Sequence, residues 1–365
     1  MIDPQPRLQH LLQSLVDNGA ERGLQVAIYY EGKLVADACA GTADAATGSP
    51  VRPETLFPVF SVSKGITATI IHRLAERSLL DYDRPIAESW PEFGAHGKET
   101  ITLRHALAHV SGLPYLPDGI TMETFADWNA SCAAIAGLVP ASAPGERGEY
   151  HAITYGWIVG EVACRATGCT FPQLVQEEVC APLDLRSLFI GVPPGHAAPV
   201  AVLEEPTAVA ASPDASPGPQ SVPNWVGPLH AMMNRPDMQE ACIPATSGLM
   251  NARDLARHYA ALLPGGVDGV ELLTPARVRL ALERPRVQNP PGGVAEWSLG
   301  YRAHGPLPPV GEPVQTFGHG GYGGSNGFAD LRRRLAVGIT KNLFSPASAV
   351  DRILAEIDAI FPVPG

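Results

Sequence analysis

Residues 57–77 read FPVFSVSKGITATIIHRLAER, a short apolar run that leads into a helical pattern. Its isoleucines and Leu74 recur at the three- and four-residue spacing of one helix face, which predicts a helix over residues 61–77. Ser61 and Lys64 are three residues apart at the start of this helix and therefore share a face. The stretch thus predicts a core helix that carries a serine with an amine beside it.

This spacing suits nucleophilic chemistry. A buried lysine ammonium loses hydration, so it holds its proton weakly and can help to deprotonate a neighbouring serine. The amino-terminal end of a helix adds backbone N–H groups and a positive dipole end that suit an oxyanion. The alternative is a helix-capping serine followed by an exposed lysine. The apolar lead-in favours the catalytic interpretation, and Lys64 is the one lysine of the chain that follows a serine by three positions.

Three other motifs match catalytic patterns by letter only. Residues 318–323, GHGGYG, fit G-x-G-x-x-G, but a predicted hairpin follows where a dinucleotide site needs a helix. Residues 323–327, GGSNG, fit G-x-S-x-G, but the last histidine, His319, precedes Ser325, which is the wrong order for that triad. The HALAH sequence at 105–109 lacks the glutamate of a zinc protease, so a structural role is predicted.

Composition excludes several classes of protein. With 45% hydrophobic and 17% charged residues, the 365-residue chain can bury a sizeable core. A net charge of −11 argues against nucleic-acid and membrane partners, and the basic run at 332–334 is predicted to be a turn between strands. No apolar run approaches the ~18–20 residues of a membrane span. The amino terminus lacks a secretory pattern, so a cytoplasmic location is expected.

The cysteines indicate thiols rather than cross-links. They are scattered without a C-x-x-C pair, which predicts free buried thiols and neither a disulfide framework nor a zinc site. The six are Cys39, Cys132, Cys164, Cys169, Cys180 and Cys242. We therefore expect no metal and no cofactor.

Periodicity predicts strands near both termini and helices between them. The predicted strands cover residues 25–30, 34–39, 328–331 and 335–340. The other predicted helices cover residues 7–19, 102–109, 153–166, 171–180, 252–263, 275–283 and 347–360. This order indicates an α+β fold with one sheet built from the two termini and a helical insertion.

Residues 190–245 are rich in proline and irregular. They form either a disordered linker or a long ordered loop over a pocket, and the second is preferred because Trp225, Met232 and Met233 would need cover. We expect one catalytic unit over residues 1–365. Its parts are an α/β portion at about 1–58 and 246–365, a helical portion at about 61–190, and this proline-rich active-site loop.

Five ordered segments resemble the β-lactamase-like serine hydrolases, which comprise class C β-lactamases, DD-peptidase-like proteins and related esterases and transacylases. The segments are 60–64 (FSVSK), 103–114 (LRHALAHVSGLP), 149–161 (EYHAITYGWIVGE), 247–263 (SGLMNARDLARHYAALL) and 317–328 (FGHGGYGGSNGF). Their order and spacing agree over about residues 10–360. The resemblance implies a β-lactamase/transpeptidase-like fold, in which an antiparallel sheet formed from both terminal segments is flanked by helices.

The resemblance also implies roles for single residues. Ser61 would be the acyl-forming nucleophile, Lys64 its proton partner, and Tyr150 a general base that returns the proton to the leaving group. A Lys64 ammonium beside Tyr150 would favour the phenolate. Tyr155 lies five residues later on an apolar helix, where packing explains it better. Backbone N–H groups of Ser61 and Tyr322 would form the oxyanion hole.

Two departures from the family pattern bear on the substrate. His319 stands at the lysine of Lys-Thr-Gly, and Ala152 stands at the asparagine of Tyr-x-Asn. Together with Gly320, Gly321 and Trp225 they are the expected substrate-binding residues. Histidine carries less positive charge at pH 7 than lysine, and alanine lacks a carboxamide, so efficient β-lactam hydrolysis is not expected.

Three functions remain open at this point. The first is a carboxylesterase that forms an acyl-enzyme at Ser61 and releases it to water. The second is a transacylase that passes the acyl group from a small-molecule donor to an amine or alcohol acceptor. The third is a catalytically silent protein that binds a ligand in the same cleft. Hydrolysis and transfer would use the same residues, and the sequence indicates no oligomeric state.

Overall fold

The structure, a computed structural model, describes residues 3–117, 119–205, 221–223, 226–284, 297–305, 308, 312–344 and 348–363. The strands, in chain order, are β1 (Gly23–Tyr30), β2 (Lys33–Asp44), β3 (Ser49–Pro50), β4 (Phe57–Phe60), β5 (Leu188–Ile190), β6 (Gly248–Met250), β7 (Arg302–Ala303), β8 (Thr316–Gly320), β9 (Asn326–Asp330) and β10 (Leu335–Lys341).

The helices are α1 (Pro4–Asp17), α2 (Ser63–Glu76), α3 (Leu103–Leu107), α4 (Met122–Ala126), α5 (Trp128–Ala136), α6 (Thr154–Thr167), α7 (Phe171–Val175), α8 (Ala181–Leu183), α9 (Leu229–Met233), α10 (Pro236–Glu240), α11 (Ala252–Ala260), α12 (Pro275–Ala281) and α13 (Ser348–Ile360). A π-helical turn, Gln176–Cys180, joins α7 to α8, and two 3₁₀ segments, Ile86–Glu88 and Pro91–Gly97, precede α3.

The main sheet joins the two ends of the chain. Its order is β3-β2-β1-β10-β9-β8-β7, and every neighbouring pair is antiparallel. The amino-terminal β1 therefore lies directly against the carboxyl-terminal β10. The arginine run 332–334 lies in the tight connection between β9 and β10, as predicted. The predicted α+β fold with one sheet built from both termini is confirmed.

Both faces of this sheet are covered by helices. On one face, the leucine stripe of α1 packs with α13 and with aliphatic side chains of β1 and β10. On the other face lies α11, whose backbone approaches the sheet closely at Gly338. A Cβ at Gly338 would lie 2.2 Å from the carbonyl oxygen of Ala252, so only glycine permits this contact.

The helix predicted from residues 61–77 is the central element of the helical portion. Twelve of the fourteen residues of α2 are buried, as expected for a helix that is surrounded by other elements. The helix begins at Ser63, two residues later than predicted, so Ser61 lies in the turn before it. A second sheet, ordered β4-β6-β5, runs into this turn and connects the helical portion to the rest of the fold.

The proline-rich region is described in part. Its short helices α9 and α10 bury three methionines, Met232, Met233 and Met238, against the core. Residues 206–220 and Trp225 lie outside the described residues. All six cysteines are free, as predicted, but only Cys132 and Cys180 are fully buried. Among the described residues, no helix is long and apolar enough to cross a membrane.

Candidate active site

Ser61 lies in a strained turn between β4 and α2. The preceding residue, Phe60, has a φ of 50°, which is uncommon for a bulky side chain and is found where surrounding contacts enforce it. The Ser63 hydroxyl provides such contacts, since it donates to the Phe60 carbonyl at 2.5 Å and accepts the Gly248 N–H at 2.9 Å. The turn is thereby attached to β6, and the direction of Ser61 is set by the fold.

Lys64 and Tyr150 converge on the Ser61 hydroxyl. The Tyr150 O–H donates to Ser61 Oγ at 2.9 Å, and Lys64 Nζ lies 3.2 Å from the same oxygen. Lys64 is fully buried, and its Nζ also donates to the backbone carbonyls of Ala152 at 2.6 Å and Ala245 at 2.9 Å. The sequence-predicted trio is therefore brought together in space.

The partners of Lys64 suit a neutral amine. Burial lowers the pKa of Lys64 well below its ordinary value, because the ammonium loses its hydration. A neutral amine has two N–H groups and one lone pair, and the carbonyls of Ala152 and Ala245 accept both N–H groups. In this neutral form the lone pair of the amine would face the remaining contact, Ser61 Oγ. This arrangement can accept the serine proton as the nucleophile attacks.

The protonation state of Tyr150 differs from the sequence-based expectation. Desolvation by burial raises the pKa of Tyr150 to about 12, and the hydrogen bond to Ser61 offsets only part of that rise. The expected phenolate, favoured by a charged Lys64, is wrong for this resting site. Burial disfavours both the ammonium form of Lys64 and the phenolate form of Tyr150, because each charged form loses its hydration.

Two residues that sequence reasoning did not assign to the site hold the Tyr150 ring. The Trp297 ring stacks on it with centroids 4.8 Å apart and planes 10° apart. The His109 ring packs on it at 5.0 Å and contacts Trp297 as well. His109 was predicted to be structural, and its contacts make it a support of the site. Nothing in the sequence around Trp297 signalled this position, because it is far from Tyr150 along the chain.

The segment 103–114, which ends in SGLP, holds the backbone on either side of Tyr150. The Glu149 N–H donates to the His109 carbonyl, and the His151 N–H donates to His109 Nδ1 at 3.2 Å. His151 Nε2 in turn accepts bonds from the Ser111 hydroxyl at 2.8 Å and the Leu113 N–H at 3.1 Å. The segment therefore determines where the tyrosine lies relative to Ser61.

Strand β8 brings the glycine-rich segment against the turn that contains Ser61. A Cβ at Gly321 would lie 2.0 Å from the Val59 carbonyl oxygen, so the two backbones touch there. The neighbouring Tyr322, predicted for the oxyanion hole, packs its half-exposed ring on Phe60 at 5.9 Å and donates its O–H to Glu205. This packing places the backbone of Tyr322 beside the turn that contains Ser61.

His319 and Ala152 are the two residues at which the sequence departs from the family pattern. His319 is buried, and its ring lies 6.3 Å from that of Tyr150. Ala152 contributes its carbonyl to Lys64, and its side chain is buried. Gly320 accepts a bond from His319 Nδ1 at 2.6 Å, while Trp225 lies outside the described residues. Ala152 contacts Lys64 through its backbone carbonyl, so this contact could not be predicted from the type of its side chain.

The remaining motifs have structural roles. Ser325 of the G-x-S-x-G sequence accepts the Lys341 N–H, and its carbonyl accepts the Gly321 N–H, which closes the turn before β9. A strand and not a helix follows, as the sequence predicted. Tyr155 is fully buried beside His109, in agreement with a packing role. In the part of the chain that the structure describes, no group of three or more metal-binding side chains is gathered.

Comparison with known proteins gives consistent matches. The β-lactamase family model matches residues 8–360. The esterase/β-lactamase LipL of Mycobacterium tuberculosis (strain ATCC 25618 / H37Rv) is 36% identical over 346 residues, which cover 90% of this chain and 79% of LipL. A solved family VIII carboxylesterase has a TM-score of 0.82 at 29% identity, covering 97% of this chain and 96% of its own. A penicillin-binding protein homologue from Caulobacter crescentus has a TM-score of 0.80 at 31% identity, covering 97% and 98%.

Proposed function

This chain belongs to the β-lactamase family, and we propose that within this family of serine hydrolases it is a carboxylesterase that works through an acyl-enzyme at Ser61. The observation that carries the proposal is the pair of contacts at Ser61 Oγ, with the Lys64 amine on one side and the Tyr150 hydroxyl on the other. The name of the family VIII carboxylesterase supports ester hydrolysis, and the name of LipL gives esterase beside β-lactamase.

Acylation begins with the transfer of the Ser61 proton to the Lys64 lone pair, while Oγ forms a bond to the ester carbonyl carbon. The carbonyl oxygen becomes an oxyanion, and the backbone N–H groups of Ser61 and Tyr322 stabilise it. The carbon–oxygen bond to the leaving alkoxide then breaks, and Tyr150 donates its proton to that alkoxide. The Lys64 ammonium reprotonates Tyr150, so the products are the free alcohol and the acyl-enzyme.

Deacylation reverses these steps with water as the nucleophile. Water gives a proton to the Lys64–Tyr150 pair, its oxygen forms a bond to the acyl carbon, and Ser61 Oγ leaves and takes a proton back. A pKa of about 12 suits Tyr150 to the donor role, because its proton remains bound until an alkoxide of higher basicity develops. This assigns the base role to Lys64 and the acid role to Tyr150 in acylation.

A transacylase is the second candidate, and it shares every step until the acyl-enzyme is formed. The Trp297 ring stacked on the half-buried Tyr150 ring favours it, because an aromatic cover restricts the access of water to that side of the proton donor. An amine or alcohol acceptor would then replace water in the second half of the reaction. β-Lactam hydrolysis is disfavoured, because neither His319 nor Ala152 offers a charged or carboxamide group to such a substrate.

The proposal is tested with p-nitrophenyl butyrate and intact-protein mass spectrometry. We expect release of nitrophenol, a butyryl mass increase located on Ser61, and loss of both in Ser61→Ala. Ser325→Ala is the matched control, since it removes the buried hydroxyl of the G-x-S-x-G sequence and should leave turnover intact. Equal turnover in Ser61→Ala and wild type would refute the nucleophile. Added alcohols that divert the butyryl group to a new ester, in place of butyrate, would establish transfer over hydrolysis.

A further inference from the structure

Glu205 is a carboxylate beside the site that the mechanism above does not use. Its Oε1 accepts the Tyr322 O–H at 3.0 Å, and its Oε2 lies 2.9 Å from His230 Nδ1. A carboxylate oxygen accepts, so Nδ1 carries a proton and is the donor. The Glu205 side chain is only 4% exposed, and hydrogen bonds to a charged acceptor are stronger than those between neutral groups.

The chain that leads into Glu205 is hydrogen-bonded to the end of strand β10. The Glu204 N–H donates to the Asn342 carbonyl, and the Phe344 N–H donates to the Glu204 carbonyl, both at 2.8 Å. The Asn342 side chain is buried, and its Nδ2 donates to the Val202 carbonyl at 3.0 Å. Glu205 therefore receives its two donors at a place that the main sheet fixes.

Tyr322 lies in a turn whose glycines leave its backbone little constraint of its own. Gly323 and Gly324 follow it with φ of 88° and 106°, a region that glycine enters and leaves without steric cost. The Gly321 N–H donates to the Ser325 carbonyl at 2.8 Å, which closes the turn at positions on either side of Tyr322. The direction of the Tyr322 peptide therefore depends on what its side chain contacts.

The hydroxyl makes the directional contact of the Tyr322 side chain. The ring meets Phe60 and Phe344 edge to face at 5.9 Å and 5.0 Å, and such pairs are favourable over a range of distances. Burial raises the pKa of Tyr322, and the hydrogen bond to Glu205 raises it further, so the hydroxyl keeps its proton and donates. A hydrogen bond weakens steeply as its angle departs from linear, so this bond fixes the ring and the backbone attached to it.

We propose that Glu205 is a positioning residue that holds the Tyr322 N–H in the oxyanion hole through the Tyr322 hydroxyl. The inference rests on the proposed function, which assigns that N–H to the oxyanion. His230 bonds the second carboxylate oxygen and so keeps the first one turned toward Tyr322. Because the oxyanion exists only after attack on the ester, loss of Glu205 should lower kcat and leave KM nearly unchanged.

Glu205→Ala and Tyr322→Phe test this role with p-nitrophenyl butyrate. Deleting one oxyanion donor lowers kcat about 10²–10³-fold, and displacing it costs less, so we expect a loss of about tenfold in each variant. KM should stay within about twofold of the wild type. The double variant should also lose only about tenfold, because both substitutions remove the same hydrogen bond.

Glu205→Gln tests for rescue by a conservative change. Its carboxamide oxygen can still accept the Tyr322 O–H, and the His230 ring can take its other tautomer and accept from the carboxamide N–H. We expect kcat within about threefold of the wild type, since a neutral acceptor gives a weaker bond than a carboxylate.

A tetrahedral adduct reports on the oxyanion hole without turnover. 1,1,1-Trifluoropentan-2-one carries the same propyl chain as butyrate. Ser61 Oγ adds to its carbonyl carbon, the serine proton passes to Lys64, and the carbonyl oxygen becomes an oxyanion. The inhibition constant should rise about tenfold in Glu205→Ala and in Tyr322→Phe, in step with the fall in kcat.

Glu204→Ala is the matched control. It removes the neighbouring carboxylate, which contacts Arg22 Nε at 3.3 Å, and keeps the backbone bonds to Asn342 and Phe344. Its kcat and inhibition constant should match the wild type. A wild-type kcat in Glu205→Ala and Tyr322→Phe, additive losses in the double variant, or an equal loss in Glu204→Ala would overturn the proposal.

The outcome also separates this inference from the proposed function. If p-nitrophenyl butyrate leaves a butyryl group on Ser61 while kcat is unchanged in Glu205→Ala and Tyr322→Phe, only the role of Glu205 fails. If no butyryl group forms on Ser61 in the wild type, the esterase proposal itself fails.

Discussion

Gly156→Ala tests how the fold positions the base of the site. Gly156 lies on α6 where that helix touches the segment that supplies the Ala245 carbonyl to Lys64. A Cβ at Gly156 would lie 2.3 Å from Ala245 N and 2.9 Å from Ala245 Cβ. Since carbon contacts need about 3.5 Å or more, the Ala245 segment must move by about 1 Å.

The expected effect is on turnover more than on folding. Overpacking costs about 1–3 kcal/mol, and alanine regains about 0.5–1 kcal/mol over glycine within a helix, so the variant remains folded. A shift of about 1 Å breaks the 2.9 Å bond from Lys64 to the Ala245 carbonyl and turns the lone pair away from Ser61. Misplacement on this scale lowers kcat about 10²-fold. KM should change little, because neither residue contacts the ester in the proposed mechanism.

Steady-state kinetics with p-nitrophenyl butyrate and thermal unfolding measure both effects. Gly160→Ala is the matched control on the same helix, since its Cβ would meet only side chains, those of Trp128 at 2.8 Å and of Phe171 and Pro244 at 3.3 Å, and not the Ala245 backbone. That variant should lose stability while keeping kcat. A wild-type kcat in Gly156→Ala, or an equal loss of kcat in both variants, would refute the positioning argument.

Two further predictions concern the proton transfers. Tyr150→Phe should lower kcat about 10²–10⁴-fold, because it removes the proton donor. Its unfolding temperature should stay close to that of the wild type, because the ring keeps its stacking on Trp297, and near-wild-type turnover would contradict the acid role. The wild-type kcat/KM should rise with pH through one ionisation, since Lys64 acts only when neutral. Because burial lowers the pKa of Lys64, the midpoint should lie well below the ordinary lysine value, and a midpoint at or above that value would count against a neutral base.

The sequence was informative where chemistry resides in side chains with a recognisable spacing. Ser61 and Lys64 are three positions apart on an apolar element, and Tyr150 lies in a segment with a family signature, so all three could be proposed without a structure. The sheet from both termini was predictable because strand-forming segments lie near both ends of the chain and the helices between them are periodic. These features depend on local pattern.

Backbone groups and distant contacts left no such signal. The two acceptors of the Lys64 N–H groups are carbonyls of Ala152 and Ala245, and every residue type has a carbonyl. Trp297 reaches Tyr150 only through the fold, since nearly 150 positions separate them. The predicted phenolate was wrong for a related reason. The prediction weighed the charge of Lys64, whereas the burial of Tyr150, which raises the pKa of its hydroxyl, is visible only in the structure.

Burial acts in opposite directions on the two groups that flank Ser61, and this gives the site its direction of proton flow. It lowers the pKa of Lys64 and raises that of Tyr150, which favours the uncharged form of both the proposed base and the proposed acid. When the serine proton moves to Lys64, the new ammonium remains hydrogen-bonded to the Ala152 and Ala245 carbonyls and does not return to water. In the proposed reaction the oxyanion that forms beside this ammonium would stabilise it, so we expect charge separation in the site to be favourable only when an ester is bound and attacked.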